Sequence, residues 1–415
     1  MNLLATTFRV TTPLFLGGAD NQNSAELRLS SIKGMLRFWW RALAYASNGN
    51  DMQAIRAKEN KIFGCSDQEV GQGSFLMRLA SCEPDKPQIK AQHDLPFDFD
   101  KPYMAGARYL GFGVVKAYGR DMGSLQRPCI APPFSFCIEF ISREPFDPMF
   151  VYALKIMGLL GGIGSKMRKG YGSLTLVSLT GDRVEPWNRP QAAETFIKYV
   201  RDILVPLKEF PAFQNGLPHY TAFNRDSRIV ILTESSGTDY LAGLKLLNGI
   251  GMQLQKYRCW GFQGHVNDLP TEENFKYDHG WFRHIIGVEA MDKPPPADFH
   301  PRRAVFGLPH NYQKRIADKD IRKVMVTTSD RKKSDRRASP LILHIHAYDN
   351  DRYAAVVTIL PTMFLPQSLK IKANGRDVPP AIDYSVLDEF VDGFEGKAGA
   401  KKSTRYFPYR RPVFP

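Results

Sequence analysis

Paired cysteines are missing from this chain. The five that occur, Cys65, Cys82, Cys129, Cys137 and Cys259, include no CxxC pair. That spacing excludes a zinc finger and argues against a disulfide framework, so reduced thiols are expected. Long apolar runs are missing too: no stretch approaches the roughly 18 residues needed to span a bilayer. The N-terminal segment has no basic region followed by a long apolar one, as a secretory leader would. A cytoplasmic protein with no membrane partner is the expectation. Nucleotide signatures are also absent, since no GxxxxGK[ST] or GxGxxG frame fits. No GxSxG frame supports a hydrolase triad. Acidic residues fall short of basic ones, 42 against 56, leaving a formal charge of +14 and a pI near 9.4. With aromatics at 12 %, that balance points to a polyanionic partner, of which nucleic acid is the commonest.

The elements present read in a recognisable order. A β-branched strand over 6–15 enters the Gly17-Gly18 turn, and Ser30 or Ser31 can cap a helix running to about Ala46. A strand at 73–80 follows, then a loop-rich insertion over about 82–127, a strand at 133–142, and a helix opened by Asp147-Pro148. A strand at 172–180 closes the series. The order β-α-β-β-α-β is the ferredoxin-like pattern shared with the RNA-recognition motif. After a joining segment with one helix, 183–225, the order restarts with a strand at 227–235 and a helix. "IFGC" before one strand is echoed by "VFGLP" before another, as in a degenerate repeat. The expected fold is therefore α+β, with two tandem ferredoxin-like (RRM-like) domains, 1–182 and 226–415. The second would carry a basic insertion over about 310–337 and a basic, aromatic C-terminal tail. In that tail Tyr406, Phe407 and Tyr409 alternate with arginines in a pattern suited to stacking on bases.

Two motifs concentrate the chemistry. In "SSIKGMLRFWWRAL", Ile32, Met35, Leu36, Trp39 and Leu43 share one helical face. Lys33, Arg37 and Arg41 form a stripe on another, with Trp40 on the border. Like charges at four-residue spacing repel unless an anion lies over them, so a phosphate is the expected occupant. Gly34 would let a backbone approach the helix start. In "GLLGGIGSKMRKGYGSL", glycines surround Lys166, Arg168 and Lys169, so the loop is expected to offer backbone amides together with cations. His344 and His346 share a strand face without a third ligand, so neither metal nor cofactor is expected. Asp20, in a glycine turn, is the one loop carboxylate placed for acid/base chemistry; the bland reading is a turn residue.

"TPLFLGGAD", "RLSSIKGMLRFWWRAL", "IFG…GS" and "GGIGSKMRKGYGSL" together resemble the RAMP superfamily of CRISPR proteins. More narrowly, these stretches with "RAVFGLP" and "RRASPLILHIH" look like the first RAMP subunit of Cmr-type, type III-B, effector complexes. The resemblance implies a non-catalytic subunit that holds the 3′ region of the guide (CRISPR) RNA and its complementary target RNA beside other RAMP subunits. Matching positions are Gly17 and Gly18; Lys33, Arg37, Trp40 and Arg41; and the loop from Gly161 through Gly162, Gly164, Lys166, Arg168, Lys169 and Gly170 to Gly172. The basic residues would bind phosphates and Trp40 would stack on a base. The alternative is a metal-independent endoribonuclease using Asp20 or a histidine as acid/base.

Overall fold

The computed structural model describes residues 1–20, 22–66, 71–80, 89–90, 97–117, 119–235, 241–259, 265–266, 269–270, 272, 274–285, 300–317, 320–328, 336–349, 352–365, 369–373, 376–378, 381–393 and 406–415. Close contacts divide the chain into two units: 1–252 with 342–360 and 409–415, and 253–341 with 361–408. These units cut the chain elsewhere than the division at 182 and 226 expected from the sequence.

The first unit contains two sheets. The first is built from β1 (Asn2–Val10), β2 (Phe75–Ala80), β3 (Phe134–Ser142) and β4 (Leu174–Gly181), in spatial order β2-β3-β1-β4, with Trp187–Asn188 added outside β4. All pairings in it are antiparallel. Between its strands run α1 (Leu29–Asn48), α2 (Met52–Phe63) and α3 (Pro148–Leu160). Asp147 caps α3 by accepting from the Met149 and Phe150 amides, with proline at the first turn, where a missing N–H costs nothing. Asp51 caps α2 in the same way. The 183–225 segment contributes α4 (Ala193–Leu204) to this unit's core through Phe196, Val200 and Leu204.

The second sheet repeats the arrangement. After β5 (Arg228–Ser235) and α5 (Ala242–Arg258) come β6 (Leu341–Ala347), β7 (Tyr353–Ile359) and β8 (Arg411–Phe414), while α6 (Ser385–Asp392), between β7 and β8 in the chain, belongs to the second unit. The spatial order is β6-β7-β5-β8, again second-third-first-fourth along the chain. Every residue of β6 and β7 is buried, which is why "LILHIHA" and "YAAVVTI" read as apolar runs rather than alternations. β6 lies at the border of its sheet, and its outward backbone groups are met by the first sheet's hydroxyls. Ser173 Oγ accepts from the Ile345 amide at 3.1 Å and Thr175 Oγ1 from the Ala347 amide at 2.9 Å. Thr11 Oγ1 donates to the Ile345 carbonyl at 2.6 Å.

In the second unit, the basic segment read as an insertion forms antiparallel strands His310–Ala317 and Asp320–Thr328, extended by Ile371–Ala373 and Arg376–Val378. A separate apolar cluster, including Trp281, Phe282 and Ile371, fills this unit. Buried Asp278 accepts from the Arg302 and Arg303 amides and caps the turn there.

Three expectations are corrected. The end of the chain is not a free tail: Arg411–Phe414 pairs with β5. Tyr406 and Phe407 are 7 % and 4 % exposed and pack on Phe390, leaving only Tyr409 of that trio on the surface. Its basic stretch 394–405 lies outside the described residues. Cys137 is disulfide-bonded, while Cys65, Cys129 and Cys259 are free thiols; Cys82 lies outside the described residues. Among the described residues no helix is long and apolar enough to cross a membrane.

Candidate nucleic-acid interface

Three pieces of the first unit converge: the loop after β1, α1, and the glycine-rich connection from α3 to β4. α1 buries Ile32, Leu36, Trp39, Trp40 and Leu43, each large side chain contributing roughly 1.5 to 3 kcal/mol of burial. The glycine-rich loop closes on it. A Cβ at Gly161 would stand 2.5 Å from Trp39 Nε1, and Gly164, at φ +83°, passes the Phe15 carbonyl so closely that a Cβ would lie 2.6 Å from it. The loop's amides are largely consumed inside the protein. Ile163 donates to Gly172, Ser165 to Phe15, Gly170 to Met167 and Gly172 to Pro13. Thr12 Oγ1 donates to the Gly170 carbonyl, and Gly162 bridges to Ser173. An exposed cradle of backbone donors is therefore corrected: these glycines serve close packing of protein on protein.

What the loop presents is side chains. Lys166 is half-exposed at φ +65°. Arg168 lies 5.3 Å over the Phe38 ring and donates to Thr221 Oγ1 at 3.1 Å; burial lowers its pKa to about 10. The ammonium of Lys169 is buried, so its reading as a phosphate ligand is corrected, and its backbone bridges to Leu343 of β6. Next to Thr221, the Tyr220 phenol lies in the field of Arg41 and Glu59, and burial raises its pKa.

From Arg41 the cations continue along α1. Arg37 Nε donates to Glu59 Oε1 at 2.7 Å and Arg37 Nη2 to the Gly64 carbonyl at 3.1 Å. Arg41 Nε is 3.5 Å from the other Glu59 oxygen. Lys33 sits 5.4 Å over Phe75, its pKa lowered by burial and then by the Arg37 charge. Lys33, Arg37 and Arg41 thus form a row of cations on α1, and Arg168, from an element distant in sequence, packs over Phe38 of the same helix. The anion expected over the α1 cations exists, and it is Glu59, from a helix the sequence reading did not foresee.

Trp40 is corrected as well. It is 3 % exposed and edge-on to Phe63 at 6.2 Å, so it is a core residue with no face free for a base. Among the described residues outside its own helix, no atom lies within 4 Å of a Cβ built on Gly34, so close approach of another described segment is not its reason. Gly17 bridges to Ala25 and, with Gly18, forms a half-exposed turn. Asp20 accepts from the Gln22 and Asn23 amides and from the Asn23 side chain. The Asn23 bonds hold its carboxyl below the usual range, the reverse of what a general acid near neutrality needs. His344 and His346 are fully buried, 5.7 Å apart. Burial drives His344 to about 3 and lowers His346 further from its ordinary value. No group of three potential metal ligands occurs among the described residues. Sequence reasoning missed Phe38, Glu59 and Thr221. The signal available for Glu59 was the Asp51 cap ahead of "MQAIRAKENKIF".

Residues 7–175, which contain these three converging pieces, match the family model of the RAMP superfamily, and that sets the class. The CRISPR system Cmr subunit Cmr1-2 of Pyrococcus furiosus is 49 % identical over 184 residues, 40 % of this chain and 91 % of that protein. Cmr1-1 of the same organism is 26 % identical over 162 residues, 39 % of this chain and 43 % of that protein. The crystal structure of apo Cmr1 from Pyrococcus furiosus shares the fold, with a TM-score of 0.58 at 14 % identity over 100 % of this chain and 99 % of that one. The chain belongs to the RAMP superfamily and, within it, to the Cmr1 subunits of the CRISPR Cmr system.

Proposed function

We propose that this chain is a non-catalytic RNA-binding subunit of a cytoplasmic type III-B Cmr effector complex, built from two tandem ferredoxin-like repeats. It holds the 3′ region of the guide RNA and its paired target against other RAMP subunits. The repeated second-third-first-fourth strand order supports the tandem reading. The observation that carries the function is the row of cations along α1, Lys33, Arg37 and Arg41, with Arg168 of the glycine-rich loop packed over Phe38 of the same helix. A row of cations on an ordered surface suits a phosphate backbone, while base pairing supplies sequence recognition. Cleavage by this chain has little support, because Asp20 is committed to its own turn.

The test is a salt titration of single-stranded RNA binding by the full chain. Lys33→Ala with Arg41→Ala should weaken binding and flatten the plot of log affinity against log salt by about 0.7 for each phosphate no longer held. An unchanged slope overturns the reading.

A further inference from the structure

Arg37 and Arg41 share one anion, and they share it unequally. Glu59 is 8 % exposed on α2. Its contact to Arg37 is 2.7 Å, and Arg37 is also tied to the Gly64 carbonyl and lies 5.6 Å over Phe63. The contact to Arg41 is 3.5 Å, and the Arg41 side chain is 42 % exposed against 30 % for Arg37. To an arginine, a carboxylate and a phosphodiester present the same feature, a pair of anionic oxygens on one centre.

We propose that Glu59 is an internal phosphate mimic. It holds both arginines in register on the bare protein, and an RNA phosphate takes Arg41 from it while Arg37 stays bound. This rests on the RNA-binding reading above and deepens it. Glu59 is a positioning residue that also sets a threshold: an incoming anion must displace a carboxylate already in place, so a fleeting polyanion contact is rejected. The local charge of the trio is +1 with Glu59 and +2 without it, so removing the carboxylate should strengthen RNA binding rather than weaken it.

The experiment titrates binding of a labelled single-stranded RNA against salt for the full chain and its variants. Glu59→Gln should bind about 5- to 10-fold tighter at low salt, with a slope steeper by about 0.7. Glu59→Asp, which keeps the charge, should retain the parent slope. With Arg41→Ala already present, Glu59→Gln should gain much less. A Glu59→Gln protein with an unchanged melting temperature and no steeper slope overturns the proposal. So does a gain that persists in full without Arg41. Should Glu59→Gln fail to fold, a steeper slope for Glu59→Asp overturns it and a parental slope supports it. If Lys33→Ala with Arg41→Ala leaves the slope unchanged, the RNA-binding reading itself fails. If that pair flattens the slope while Glu59→Gln does nothing, only the exchange fails.

Discussion

The two sheets of the first unit share a strand order and differ in what they expose. In the first, β3 alternates buried and half-buried positions along its length, and the connection before β4 carries a half-exposed Lys166. In the second, β6 and β7 are buried throughout, and polar residues among them, His344, His346 and Thr358, are sealed away from water. A shared strand order has therefore not meant a shared pattern of exposure. The helix α1 that follows the first sheet's opening strand carries a row of cations, and the second sheet braces the glycine-rich loop through the Leu343 amide donating to the Arg168 carbonyl at 3.1 Å.

The largest effect that sharpens this contrast is acid sensitivity seated in the buried copy. His344 has its folded pKa depressed to about 3, below the unfolded value of roughly 6.5. Its contribution is fully present above about pH 6.5 and drains away as pH falls toward 3, because the unfolded chain takes the proton first. At pH 4.5 the loss from His344 is about 3 kcal/mol. Denaturant titrations at pH 7 and 4.5 measure it; His344→Asn should remove part of the difference, and the equally buried His346, whose pKa is lowered in the same direction, should keep the rest. An equal pH dependence in that variant would place the acid sensitivity elsewhere.

A smaller effect is expected at the border between the sheets. Thr175→Val keeps shape but strips the acceptor from the buried Ala347 amide, at a cost of about 1 to 2 kcal/mol. Thermal unfolding reads the loss, and a neutral result would mean the hydroxyl contributes nothing to joining the copies. The smallest effect separates packing from binding on the exposed copy. Gly34 faces open space, so Gly34→Ala should stabilise α1 by up to about 1 kcal/mol. If an RNA backbone approaches there, the same change should weaken RNA binding, and unaltered binding would move the RNA path away from the start of α1.

Much of the first copy was legible because its signals are local. Asp147-Pro148 announced α3, and the apolar positions of α1 fixed its buried face. α2 was overlooked, although Asp51 supplies a cap, because its sequence is mostly polar. That omission propagated: without α2 there was no Phe63 to cover Trp40 and no Glu59 to balance the arginines. β7 escaped because a strand buried on both faces has no alternation to read. The short β8, with Pro412 in it, looked like a tail because edge strands tolerate proline. The glycines of the loop were located correctly but misread. Their number fits an anion cradle and a tightly packed turn equally, and only the partners of their amides distinguish the two.

The hydroxyl contacts along β6 also set a timetable for synthesis. Ile345 leaves the ribosome 172 residues after Ser173, the residue whose oxygen receives its amide. At about 5 to 20 residues per second, the earlier sheet waits about 10 to 30 s with its hydroxyls facing water. A nascent chain stalled before residue 341 therefore lacks the strand whose amides the Ser173 and Thr175 hydroxyls accept from in the finished protein.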